Sequence, residues 1–125
     1  MKLKRLLIVG WGSHLESAQA YWREHQPERE ITALEVAQTS APALETPIPG
    51  QFSPEDCAIF VAIGVAGMNL ARLEMLSKLI SLGYHAESFI HRTATVAHTA
   101  SVGINCWVSE NAVIGPGAKL DYNIY

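Results

Sequence analysis

The sequence predicts an α/β chain: a small Rossmann-like domain with a parallel sheet, followed by the first coils of a left-handed parallel β-helix made of hexapeptide repeats. Three observations predict it. Short apolar runs at 6–10 and 58–64 each end at a glycine, as strands buried on both faces do. Helical periodicity follows each run. From Val96 onward an aliphatic residue then recurs every sixth position, at Val102, Val108, Ile114 and Leu120.

Residues 3–9 (LKRLLIV) form the first strand. The basic residues before the apolar run imitate a signal peptide, but 6–9 is too short for an h-region and stops at Gly10. Gly10-Trp11-Gly12-Ser13 is a turn, and a helix follows to about His25. Ser13 and Glu16 have capping-box spacing, Leu15, Ala18 and Trp22 share a face, and Pro27 lies just past the end. Residues 30–36 are a second strand. Residues 37–56 hold Pro42, Pro47, Pro49, Pro54 and Gly50, which makes them a long loop. Residues 58–63 are a third strand. The helix expected at 68–82 carries Leu70, Leu73, Leu76, Leu79 and Ile80 at helical spacing, with Gly83 at the left-handed position beyond it. A fourth strand is expected over 85–90. The order β-α-β-loop-β-α-β gives an open, mostly parallel sheet. The domain is taken as residues 1–91 and the repeat region as 92–125.

Within the repeats, the position four after each aliphatic reads Ala100, Cys106, Ala112, Ala118 and Ile124, and the position one after reads Ala97, Gly103, Ser109, Gly115 and Asp121. A β-meander would alternate with period two and would not hold a six-residue register. The aliphatic points inward, the small residue fits where the interior is tight, and the residue after the aliphatic bends the chain. Three hexapeptides make a turn, so 96–125 supplies less than two, and such arrays need stacked units and caps. The expectation is a chain truncated within its β-helix.

The 125 residues are 49% hydrophobic, enough for a core, and the net charge is −3 with no basic stripe, which argues against nucleic acid. No segment reaches the roughly 20 apolar residues of a membrane span. Cys57 and Cys106 make no CxxC motif and no disulfide framework, which suits a reducing, cytoplasmic setting.

The candidate site is the glycine loop. Gly10, Trp11 and Gly12, after a strand and before a helix, either cradle a phosphate at the helix N-terminus or form a tight turn with no ligand. A dinucleotide fingerprint needs a third glycine at position 15, and Leu15 there argues against NAD. His14 either touches a phosphate or sugar or is an exposed residue of the first helical turn. Ser13 is an N-cap whose hydroxyl can also face a ligand. Glu35 either bonds a ribose hydroxyl or is a surface acid at a strand end. Gly64 either lets the chain pass under a base or turns it into 65–67. Trp11 either stacks on a ligand or covers the sheet edge. His91 and His98 are similar to the zinc histidines of β-helix carbonic anhydrases, but those sites need a third histidine in a nearby coil that this sequence lacks, so no metal is expected.

Residues 6–14 (LLIVGWGSH), 60–64 (FVAIG), Gly83-Tyr84, 89–96 (FIHRTATV) and the repeats, in this order, resemble bacterial sugar O-/N-acyltransferases of the sialic acid O-acetyltransferase type, which include acetyltransferases of UDP-4-amino-sugars such as the bacillosamine precursor. The resemblance implies an N-terminal domain that binds a UDP-sugar-type nucleotide-sugar for surface glycan biosynthesis. It also implies a homotrimer formed by the β-helix, with acetyl-CoA held between subunits. The family's general base is a β-helix histidine backed by a carboxylate, in a coil beyond residue 125. The resemblance therefore implies a substrate-binding part with no catalytic residue among 1–125, inactive alone, and a structural role for His91 at the junction. Two departures stand out. Glu35 is followed by Val36 where the family often has a second acid, and Val65-Ala66-Gly67 is less polar than the family's pair after Gly64. The alternative is a non-catalytic assembly module without nucleotide affinity.

Overall fold

In the computed structural model, residues 3–36, 52–64 and 70–125 are described, and the chain splits into two compact units, Met1–Ala86 and Glu87–Tyr125.

The first unit is built on strands β1 (Arg5–Gly10), β2 (Glu30–Glu35) and β3 (Cys57–Ala62), all parallel, in the order β2-β1-β3. The central and β3 strands are apolar almost throughout, and both are buried on both faces, as parallel strands under helical cover must be. Helix α1 (Gly12–His25) buries Leu15, Ala18 and Trp22 as their spacing predicts. Trp22 meets Phe60 of β3 edge-on at 5.8 Å. Helix α2 (Leu70–Ser81) packs against β3, and Gly83 follows it at φ +96°. The expected long loop lies outside the described residues over 37–51, as does the expected start of α2 over 68–69. The chain is described again from Phe52, whose carbonyl accepts the Tyr84 hydroxyl.

Three expectations are corrected. The capping box at Ser13 does not form: Trp11 is the N-cap residue, its extended backbone (φ −155°, ψ 165°) turns the chain into the helix, and no side-chain hydrogen bond caps it. Ser13 is the second residue of the helix, two past the cap position. The buried face of α2 keeps Leu76 and Leu79 of the expected set but not Leu70 or Ile80. Ala71, Arg72, Met75, Leu76 and Leu79 are buried, whereas Leu70 and Ile80 are 52% and 42% exposed. The fourth strand does not join the sheet either. Only Ala86 bridges Ile59, and Phe89–Ile90 belong to the second unit.

In that unit β4 (Phe89–Ile90), β5 (Thr95–Val96) and β6 (Ser101–Val102) pair in parallel with β7 (Trp107–Val108), β8 (Val113–Ile114) and β9 (Lys119–Leu120). Each partner lies 18 residues on, so three hexapeptides make one turn of a parallel coil. Register is fixed by contacts between residues 18 apart. Phe89 stacks on Trp107 at 4.3 Å, and Tyr125 follows at 6.5 Å. Thr93 and Thr99 hydroxyls accept the Asn111 and Gly117 amides, each at 3.0 Å, and the Asn105 amide donates to Asn123, also at 3.0 Å. The Ser88 hydroxyl accepts the Cys106 amide and donates to the Gly103 carbonyl. These bonds explain why Phe89 starts the coil instead of a fourth sheet strand. Cys106 and Val108 are buried inside. The left-handed bends fall at Asn105, Asn111, Gly117 and Asn123, three residues after each aliphatic from Val102 onward and not one after. Gly103 has a different reason: a Cβ there would collide with the Asp121 carbonyl of the next turn.

Candidate functional site

The carboxyl ends of β2, β1 and β3 bring Glu35, Gly10 and Ala62 into one row of the parallel register. The chain passes from β1 to β2 and comes back beyond β1 to β3, and the carboxyl ends of such parallel strands are where open α/β sheets hold ligands. Each loop residue has its own cause there. Gly10 is buried because a Cβ would run into the Ala62 carbonyl, so its small size lets β1 and β3 close up. Trp11 is 8% exposed, and its indole anchors the turn in the core. Gly12 opens α1 at φ +65°, a left-handed conformation that favours glycine, with open space where a Cβ would stand. Ser13 and His14 are exposed in the first turn. Trp11 supplies no side-chain cap to the first amides of α1, and uncapped amides at a helix N-terminus are donors that an anion can accept.

The imidazole of His14 reaches across to the end of β3. A Cβ on Gly64 would stand 2.7 Å from its Cε1 and 2.8 Å from its Nδ1. The His14 ring thus lies against Gly64, in the space a side chain there would take. Five of the predicted residues thus lie in one loop, Gly64 joins them through His14, and Glu35 enters only through its strand register. Residues 65–67, where the sequence departs from the family pattern, lie outside the described residues.

One residue escaped the sequence reading. Arg72, in the first turn of α2, is 5% exposed, and its Nη1 donates to the Ile63 carbonyl at 3.3 Å, next to Gly64. An arginine between Ala71 and Leu73 reads as a solvent-facing residue. The signal that identifies it is its spacing from Met75, Leu76 and Leu79, the face α2 actually buries. Among the described residues no group of three His, Cys, Asp or Glu side chains gathers as a metal site, and no helix is long and apolar enough to cross a membrane. His91 is held locally, its Nδ1 accepting the Thr93 amide at 3.1 Å.

An α/β unit with a parallel sheet, followed by a coil of short parallel strands, is a fold this chain has in common with solved sugar acetyltransferases. The acetyltransferase domain of PglB from Neisseria gonorrhoeae, in complex with acetyl coenzyme A, matches 98% of this chain with a TM-score of 0.71 at 21% identity. PerB from Caulobacter crescentus, in complex with CoA and GDP-perosamine, matches 94% with a TM-score of 0.57 at 20% identity. A single-histidine variant of the Caulobacter perosamine N-acetyltransferase, also with CoA and GDP-perosamine, matches with a TM-score of 0.58 at 22% identity. The chain spans 60% of the PglB domain and 62% of PerB. No family model matches the sequence, and no curated protein matches it.

Proposed function

We propose that residues 1–125 are the nucleotide-sugar-binding domain and first left-handed β-helix coils of an acetyl-CoA-dependent sugar acetyltransferase of the sialic acid O-acetyltransferase type. The observation that carries this reading is the fold likeness over 98% of the chain to an acetyltransferase domain bound to acetyl-CoA. In this reading the Rossmann-like unit takes a UDP-sugar-type substrate at the carboxyl ends of its strands. The diphosphate lies on the open amides of α1, where donors and the helix dipole favour negative charge. Gly12 lets the backbone come close, His14 and Ser13 flank the phosphate or sugar, and Glu35 accepts from a ribose hydroxyl. Acetyl-CoA and the general base belong to the β-helix of a cytoplasmic homotrimer, and none of residues 1–125 is assigned as catalytic.

Calorimetric titration with UDP, GDP and their amino-sugar conjugates tests this. Saturable binding of a nucleotide-sugar, weakened in Gly12→Ala, is expected. No heat with any of them up to about millimolar concentration would leave an assembly module without nucleotide affinity.

A further inference from the structure

We infer that Arg72 is a positioning residue for the nucleotide-sugar site, acting through the Ile63 carbonyl and Gly64 on the imidazole of His14; its ligand rests on the function proposed above.

Three observations connect. The Arg72 guanidinium is buried and donates to the carbonyl of Ile63, the residue that leads out of β3. The next residue, Gly64, is the floor under the His14 ring, close enough that a single added carbon would displace it. His14 is exposed on its other side, in the first turn of α1, beside the open Gly12 backbone. A guanidinium is a rigid, permanently charged fork, so its bond fixes the direction of the carbonyl it meets more tightly than a flexible amine does. The peptide that Arg72 holds is the peptide that joins Ile63 to Gly64. Turning it would lift or withdraw the surface on which the imidazole rests. Arg72 therefore touches no ligand, yet it sets the place of the ring at the carboxyl ends of β1 and β3. The same contact explains why an arginine occupies the buried face of α2, where leucine would otherwise serve.

Two readouts on the whole chain separate positioning from mere packing. The first is the nuclear magnetic resonance shift of the Gly64 α protons, which the His14 ring current displaces; His14→Ala calibrates that displacement. The second is the affinity for UDP and GDP by calorimetry. Arg72→Met keeps the aliphatic stem and removes the donor. The expected result is loss of the ring-current shift at Gly64 and about tenfold weaker nucleotide binding by the folded variant. Arg72→Lys keeps the charge and a donor and should recover part of both. A folded Arg72→Met with the wild-type Gly64 shift overturns the inference. If Arg72→Met does not fold, Arg72→Leu, which also lacks the donor, takes its place, and an unmoved Gly64 shift with unmoved affinity in it overturns the inference equally. If the wild-type chain binds neither nucleotide, the proposed function falls, and the Gly64 shift still decides whether Arg72 positions His14.

Discussion

Gly10, Gly12 and Gly64 look alike in the sequence, yet each is glycine for a separate physical reason. At Gly10 the reason is a neighbouring strand: a methyl group would meet the Ala62 carbonyl, and β1 and β3 would have to part along their buried ends. Gly10→Ala should therefore lower stability by about 2–3 kcal/mol in urea unfolding, the usual range for overpacking a filled core. At Gly12 a Cβ meets nothing, and the cost is that of a left-handed backbone, about 1 kcal/mol. That variant should fold and still bind nucleotide worse, because the added methyl occupies space at the helix start that a phosphate would use. If both variants were equally destabilised, the distinction between packing glycine and loop glycine would be wrong. The glycines themselves were legible in the sequence, but the reasons were not. A carbonyl brought close by strand pairing and a ring brought over by a helix turn both come from residues 50 or more positions away in the chain.

At the level of the element, α2 and the coil differ in how openly their residues declare their faces. In α2 two stripes overlap. Leu70, Leu73 and Ile80 make one, and Arg72, Met75, Leu76 and Leu79 make the other. Hydrophobicity favours the first, and β3 receives the second, since a leucine-rich helix of this length has more apolar residues than one contact face can bury. Leu79→Ala should accordingly cost about 2–4 kcal/mol, whereas Leu70→Ala should stay within about 0.5 kcal/mol. Thermal melts of the two variants side by side would expose a misassigned face, since similar shifts in both would place Leu70 in the core. The coil was far more legible. Stacking at 18-residue intervals puts each hexapeptide in the same environment as the one below, so the requirement for an inward aliphatic is repeated in the sequence. The aromatic series at Phe89, Trp107 and Tyr125 carries the same interval, and its first member lies in what reads as the last strand of the sheet. The Asn bends were missed because asparagine is polar and breaks no apolar pattern, whether it is buried as at Asn105 or exposed as at Asn111. Their left-handed backbone is what marks them.

Across the whole molecule, the two units carry separate cores, and each holds one buried cysteine: Cys57 in β3 and Cys106 inside the coil. Neither thiol is exposed, so a thiol reagent reaches each only when its own unit opens. Alkaline pH should open the two units unequally. In the first unit Tyr84 donates its hydroxyl to the Phe52 carbonyl, and burial pushes its phenol above the ordinary tyrosine range, with Cys57 adding to the effect. A folded-state pKa above the unfolded value means that the neutral phenol contributes stability at pH values below about 10. That contribution is lost as pH rises through the folded value, because the phenolate is buried and has no proton to give. The coil holds no comparable buried phenol, since Tyr122 and Tyr125 are both exposed. Burial also raises the Cys57 thiol above the ordinary cysteine value of about 8.5, opposed by the Arg5 guanidinium. Above that value, thiols in opened chains are already ionised, so any further rise in labelling reports opening and not chemistry. Mass-spectrometric labelling between about pH 9 and 11 should then show Cys57 modification accelerating while Cys106 modification stays slow. In Tyr84→Phe, which has no proton to lose, the acceleration at Cys57 should disappear. Equal acceleration at both cysteines in the wild type would mean that the two units open together, and its persistence in Tyr84→Phe would remove the phenol as its cause.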